Sequence, residues 1–341
     1  MRVGSRMRHL VRTWAGIALK QGCALSYDAA VCTARKLLRS RDFLHYGSQL
    51  IPERVESETW SMAWAYVREV DDVIDSLASR EAQEVLRSEW REVLRAARGE
   101  APRSRLLRHA WLRFFLDNLR HYYSEAERAR VWRAIRELYW SALIDAARRG
   151  RSMKGGEMLR LLKYKAVAFF RLYFTLGRLK MGGYEEEVAE LLGTALGMLD
   201  DLVDALYDLK AGYVNFTEAE LRSLRSSGLR QVLRQRGRAI LRLLLRARRI
   251  AERLSNTLAK RVVLRLTEAF AAPVLEGRLV PGASYFLRGG SLLLRLLPED
   301  ERVAYEVGHR LIKAFLSIPQ LTPTLLALWR RLALEGASHL K

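Results

Sequence analysis

The sequence predicts an all-α fold in a single domain over residues 1–341. Three observations lead there. Apolar residues recur at helical spacing over nearly the whole chain. Leu, Arg, Ala and Glu dominate, and these favour helix. Breakers are few, with 7 Pro and 22 Gly in 341 residues, so helices can run long. No run of alternating β-branched residues bounded by turn signals occurs, which argues against a sheet. Half of the chain (50%) is hydrophobic, enough for a substantial core. No Gly/Ser- or Pro-rich linker and no repeat of roughly 20–50 residues divides it.

The elements follow in order. Met1 to Lys20 is basic, carries Trp14, Ile17 and Leu19, and lacks the apolar core of a signal peptide. It reads as a plain first helix, with a membrane-surface helix as the alternative. The first segment ends near Asp42. Pro52 and Glu53 open a helix with Trp60, Trp64, Val67 and Val70 on one face, leading into Asp71. Ser79 to Glu100 is a charged, helical connector. Pro102 begins a segment with Trp111, Phe114 and Phe115. Ser124 with Glu127 is a capping-box signature for a helix reaching about Ala147. Arg148 to Gly156 reads as a basic loop. Glu157 starts a long apolar helix expected to end near Gly182-Gly183. Tyr184 begins the next helix, expected to stop at Gly212. Arg222 to Arg253 is an arginine-rich amphipathic pair broken near Gly228, and most of its arginines read as a solvated face. Later helices are separated by loops at Pro281-Gly282, Gly289-Gly290 and Pro298. The tail, Ala314 to Leu334, is the most apolar segment, interrupted by Pro319, Pro323, Arg330 and Arg331. No stretch reaches the roughly 18 uncharged apolar residues of a membrane span.

Lys and Arg number 59 against 38 Asp and Glu, a formal net charge of +21. Such a surface attracts polyanions: phosphorylated metabolites, acidic membrane or nucleic acid. No nucleic-acid-binding motif accompanies the charge, so no nucleic-acid partner is expected. Only Cys23 and Cys32 occur, which excludes a disulfide framework and a zinc site. A cytoplasmic location is expected, with peripheral contact to an anionic membrane as a further expectation.

Against this basic background stand two acidic clusters. Asp71-Asp72-Val73-Ile74-Asp75 is the first; Asp200-Asp201-Leu202-Val203-Asp204, continued by Asp208, is the second. Carboxylates at i, i+4 and i+8 lie on one helix face, stacked about 6 Å apart along the axis. Both clusters sit among apolar residues, and buried unpaired carboxylates are costly. Either arginines neutralise them or metal ions do, and the spacing favours metal. Magnesium is the hard, oxygen-seeking candidate and commonly brings phosphate with it. Magnesium between carboxylates can grip a diphosphate and stabilise it as a leaving group. Departure from an allylic carbon leaves a carbocation, which needs a dry apolar wall around a central cavity. Phe169, Phe170, Tyr173 and Phe174 could line it, although ordinary core packing explains each ring singly.

These residues resemble the all-α isoprenoid synthases, most closely the squalene/phytoene synthase family. Leu50 to Arg54, Trp60 and Tyr66 to Asp75 look like that family's first aspartate motif. Leu143-Ile144-Asp145 resembles a short stretch before its central helix. Leu192-Gly193, Asp200 through Asp208, and Gly212 match its second motif in spacing, followed by Thr217 to Leu221. The resemblance spans about residues 35–225. It implies that Asp71 and Asp75 hold one metal group, and Asp200, Asp204 and Asp208 another. About two or three magnesium ions would be held in this way. Asp71, Asp75, Asp204 and Asp208 are the implied catalytic aspartates. Arg68, Asp72, Lys165 and Tyr46 are the candidates for diphosphate. The implied substrates are geranylgeranyl or farnesyl diphosphate, joined head to head in isoprenoid or carotenoid biosynthesis. NADPH is implied only for a squalene-type member.

The sequence also departs from that pattern. Asp42-Phe43 stands for Ser-Phe, Asp200 for Asn, Gly197 for Gln, and Val203 for Arg. The small-residue stretch of the central helix is Lys165-Ala166-Val167-Ala168-Phe169-Phe170. That run looks like the Lys-Thr-Ala-x-Leu-Phe of head-to-tail prenyl diphosphate synthases, but their Arg-Arg-Gly-x-Pro and Gly-Gly-Lys-Arg elements do not occur. Head-to-tail synthesis and class I terpene cyclisation therefore stand as alternatives. A non-catalytic paralogue that binds prenyl diphosphate or docks on a membrane is the alternative of another class.

Overall fold

The computed structural model describes residues 26–39, 47–101, 106–203, 208, 212–226 and 229–275. Expectations for Met1 to Lys20, Cys23, Asp42-Phe43, Tyr46, Pro102, Asp204, Gly228 and everything after Leu275 lie outside them. The described residues form helices with no strand. Their one isolated bridge pairs Met153 with Thr217. The helices are α1 (Tyr27–Arg39), α2 (Arg54–Asp75), α3 (Ser79–Ala97), α4 (Leu107–Tyr122), α5 (Glu125–Ala147) and α6 (Gly155–Leu162). A π-helical turn, Lys163–Val167, then leads into α7 (Ala168–Leu176). After it come α8 (Glu185–Val203), α9 (Glu218–Ser226), α10 (Leu229–Arg253) and α11 (Thr257–Leu275).

Helix starts fall where local chemistry puts them. Glu53 is the N-cap of α2, directly after Pro52. The Ser124–Glu127 box forms as expected. The Ser124 amide donates to Glu127 Oε2 at 2.7 Å, and the Glu127 amide donates to Ser124 Oγ at 3.3 Å. The basic loop is shorter than expected, because α6 begins at Gly155. The long apolar helix also ends early, at Leu176 rather than near Gly182-Gly183. Its stop is Arg178, a non-glycine residue at φ 49°. The Leu179 amide closes the turn on the Phe174 carbonyl at 3.0 Å. Side-chain contacts hold Arg178 in this left-handed geometry. Its guanidinium meets Glu56 at 3.0 Å and Glu127 at 3.5 Å, and lies 4.7 Å from the Tyr123 ring centroid.

The described contacts divide into two compact units. One holds the described residues up to Ala147 with Arg171–Leu179; the other holds Arg148–Phe170 and the described residues from Lys180 to Leu275. In the first, α2 packs on α1, α3 and α4. Trp60 is fully buried, stacked 5.5 Å from Trp64 and edge-on to Tyr173 at 4.9 Å. A buried polar knot ties α2, α3 and α4 together. Glu89 accepts from Arg108 at 2.8 Å and Tyr66 at 3.2 Å, and sits 3.0 Å from His109 Nε2. Burial raises the Glu89 pKa, but His109 and Arg108 outweigh it and leave the carboxyl below its ordinary value.

In the second unit, α8 packs on the π turn and on α10, and α10 packs on α11. The glycines of α8 decide how close that first contact is. A Cβ on Gly193 would lie 2.6 Å from Val167 Cα and 2.7 Å from its nitrogen. A Cβ on Gly197 would meet Leu162 Cδ2 at 2.5 Å and Ala166 Cβ at 3.2 Å. Two glycines of α8 thus let it approach Leu162, Ala166 and the Val167 backbone closely.

Two outcomes follow. Gly193→Ala presses into backbone and should cost roughly 1–3 kcal/mol by overpacking, against about 1 kcal/mol gained in helix propensity. Gly197→Ala meets a Leu tip that can turn aside and should be near neutral. Urea unfolding checks the pair, and equal midpoints would contradict the close approach. Glu89→Gln should lose about 3 kcal/mol, because it leaves a buried cation unpaired. With the folded-state pKa depressed, the wild-type contribution is complete above the ordinary value of about 4.3. It disappears as pH falls through the lower folded-state value. The variant should therefore show a flatter acid limb in stability measured against pH.

Candidate functional site

The first acidic cluster ends α2. Its apolar positions, Val70 and Ile74, are buried, which turns Asp71, Asp72 and Asp75 to the half-buried edge. Arg68 reaches back along the same helix. Its Nη1 donates to Asp71 Oδ2 at 2.5 Å and its Nη2 to Asp72 Oδ1 at 3.1 Å. These are i,i+3 and i,i+4 pairs, the positions that meet on a helix. One guanidinium thus offsets two carboxylates, while Asp75 stands one turn further on. The arginine expected to meet diphosphate is bonded to Asp71, expected to meet metal, and to Asp72, another candidate for diphosphate.

The second cluster ends the described part of α8. Asp200 is exposed. Part of Asp201 reaches the surface, yet burial pushes its carboxyl up to about 7. Arg236, Lys165 and Arg148 pull against that shift, and Asp200 adds to it. Lys165 is exposed on the π turn, so the structure brings it into the field of Asp201. The other basic residues of that helix point elsewhere. Lys163 pairs with Glu190 at 2.9 Å, and Arg171 with Glu137. Asp208 is half-buried, and Tyr46 and Asp204 lie outside the described residues.

Behind Asp208 lies a network the sequence reading missed. Asn215, 2% exposed, donates through Nδ2 to Asp208 Oδ2 at 2.5 Å. Its Oδ1 accepts from Arg148 Nη2 at 3.1 Å, and its backbone carbonyl accepts from Arg236 Nη2 at 2.5 Å. Arg236 also clamps Glu220, with its Nε 2.5 Å from Oε1 and its Nη2 2.8 Å from Oε2. Glu220 in turn closes a capping box with Thr217. Burial raises the Glu220 pKa, but Arg236 and the Thr217 donors bring it below its ordinary value. Arg148 and Arg149 stack over Tyr213, at 5.4 and 4.8 Å from its centroid. The signal for Arg236 was present in the sequence: it falls in phase with Val232, Leu233 and Ile240 on the apolar side of α10. An arginine on a core face must find acids. Nothing in the sequence singled out Asn215.

Phe169, Phe170, Tyr173 and Phe174 are all buried, with Phe170 edge-on to Phe270 at 6.0 Å. Among the described residues, no group of three or more His, Cys, Asp or Glu gathers at metal-holding distance.

Asn215→Ala removes a buried side chain that bonds Asp208 and Arg148, while the backbone bond to Arg236 stays. It should lower unfolding free energy by roughly 2 kcal/mol, whereas Arg234→Ala, exposed on the same α10, should stay within about 0.5 kcal/mol. Chemical denaturation tests the contrast, and equal effects would remove the network from the account.

No family model and no curated protein matches the sequence. Solved structures do match. A dehydrosqualene synthase in complex with a ligand aligns with TM-score 0.54 and 14% identity, covering 74% of this chain and 87% of that one. Squalene synthase HpnC from Alicyclobacillus acidocaldarius aligns with TM-score 0.57 and 19% identity, covering 75% and 95%. No described helix is long and apolar enough to cross a membrane. The chain has the all-α fold that these isoprenoid synthases share.

Proposed function

We propose that this chain is a magnesium-dependent prenyltransferase of one synthase domain, coupling two prenyl diphosphates head to head with release of diphosphate. One observation carries the reading. Each acidic cluster lies on a helix of a fold shared with squalene and dehydrosqualene synthases, with Arg68 bonded to the first and Arg236, Lys165 and Arg148 acting on Asp201 in the second. The donors suit a hard cation: all are carboxylate oxygens, and Asp71, Asp72, Asp75 and Asp200 reach the surface. Asp71 and Asp75 would hold one metal group; Asp200, Asp204 and Asp208 would hold the other. When bound, magnesium neutralises the diphosphate and makes it a better leaving group.

The chain's own residues do the rest. Asn215 keeps Asp208 oriented. Arg68 would turn its two nitrogens from Asp71 and Asp72 to the diphosphate oxygens, a bidentate match for guanidinium. Lys165 adds a point charge from the π turn, and Tyr46 a hydroxyl. The prenyl chains occupy an apolar cavity that keeps water from the carbocation. Geranylgeranyl and farnesyl diphosphate are the proposed substrates, with NADPH needed only for a squalene-type product.

Incubation of the full chain with magnesium and labelled geranylgeranyl diphosphate tests the reading. Diphosphate and a C40 hydrocarbon are expected, with loss on chelation. Asp71→Ala and Asp204→Ala should each slow turnover at least ~100-fold. A longer diphosphate product would replace head-to-head coupling by head-to-tail extension, and a C20 hydrocarbon by cyclisation. Absence of turnover in the wild-type chain, with prenyl diphosphate still bound, would leave the non-catalytic paralogue.

A further inference from the structure

The α10 helix carries a pattern that the proposed reaction does not use. From Arg234, arginines recur at +4, +4, +4, +3 and +4: Arg238, Arg242, Arg246, Arg249 and Arg253. At 100° per residue these six fall within one third of the helix circumference. The row is about 28 Å long at 1.5 Å per residue. Five of the six are exposed and Arg238 is half-buried. The opposite side of the helix is core: Val232, Ile240, Leu244, Ala247 and Ala251 are buried. Within its unit α10 packs against α8 and α11. Arg246 is met by Glu187 at 2.5 Å, while Glu252 pairs with Arg248, which lies off the row.

Like charges at i,i+4 repel and weaken a helix. A row of such pairs opposes the helix that bears it unless a polyanion covers it. We propose that this arginine row docks the chain flat on an anionic phospholipid surface. Charge complementarity selects an array of phosphates, and clusters of this size on an amphipathic helix suffice for anionic lipid. Geometry then chooses among phosphate arrays. A helix that enters a DNA major groove must project from its protein. This one is packed against α8, α9 and α11, and its arginines form a single stripe that suits a planar surface. The arginines grip phosphate oxygens, and no side chain need insert. Docking is independent of the proposed reaction, although an apolar product would be released beside a place to dissolve.

Sedimentation of the full chain with vesicles tests the proposal. One set is pure phosphatidylcholine; in the other, phosphatidylglycerol replaces part of it. Binding to the second set alone is expected, weakening as salt rises. Arg242→Gln/Arg249→Gln/Arg253→Gln should lose affinity ~100-fold. Arg80→Gln/Arg87→Gln/Arg91→Gln, which removes the same charge from exposed positions of α3, should keep it. Arg242→Lys/Arg249→Lys/Arg253→Lys should also keep it, which separates loss of charge from loss of fold. Equal binding by the two glutamine variants, or loss in the lysine variant, would overturn the proposal. So would stripe-dependent capture by duplex DNA without capture by vesicles. The vesicles contain no prenyl diphosphate, so the result stands whatever reaction the chain performs.

Discussion

Repulsion between carboxylates on one helix face is the constraint around which the described structure is arranged. Two unit charges about 6 Å apart, at an effective dielectric constant near 20, repel by about 3 kcal/mol. That exceeds what an exposed helical ion pair returns, roughly 0.3–0.5 kcal/mol. Half-buried aspartates therefore require dedicated cations. On α2 the cation is Arg68, folded back along its own helix. Around α8 it is a group, Arg236, Lys165 and Arg148, drawn from three other segments. Even so, Asp201 is pushed up to about 7, chiefly by burial. The first cluster is thus offset from its own helix, and the second from residues brought in around it.

Backbone packing serves the same end. Lys165 comes near the second cluster because the π turn meets α8 at close range, and that range exists because residue 193 is Gly. Extra turns of this kind recur at functional sites, since they re-aim one side chain without ending the helix. Behind the cluster, Asn215 and Arg236 link Asp208 to the start of α9. The metal candidates therefore rest on a braced support. The arginine row on the outer side of α10 belongs to the same helix as Arg236, so one element carries both the inner brace and the outer charge.

Much of this was legible in the sequence, and the parts that were not share a physical cause. Helix starts at Pro52-Glu53 and Ser124–Glu127 were readable because capping chemistry is local. The early stop at Leu176 was not, because Arg178 takes a left-handed conformation usually signalled by Gly, and its supports, Glu56 and Glu127, lie far away in sequence. The solvated reading of the arginine-rich segment holds for the row at 234–253 and fails at Arg236, whose phase with the apolar residues foretold burial. The Arg68–Asp71 and Arg68–Asp72 pairs were half legible: residue types and spacing were plain, but the spacing was read in favour of metal and not of arginine. Asn215 gave no local signal, since its three partners come from separate segments. The close approach of α8 to the π turn was not legible either, because it depends on which residues of another segment Gly193 and Gly197 meet.

In the proposed reaction the acidic clusters exchange protein cations for metal ions when diphosphate binds. Calorimetric titration of the full chain with magnesium and inorganic diphosphate measures this directly. Each ligand should bind weakly alone and raise the other's affinity by the same factor, as linkage requires. Arg68→Ala should tighten magnesium binding, by freeing Asp71 and Asp72, while weakening diphosphate. Diphosphate binding that is equally strong with and without magnesium would contradict the claim.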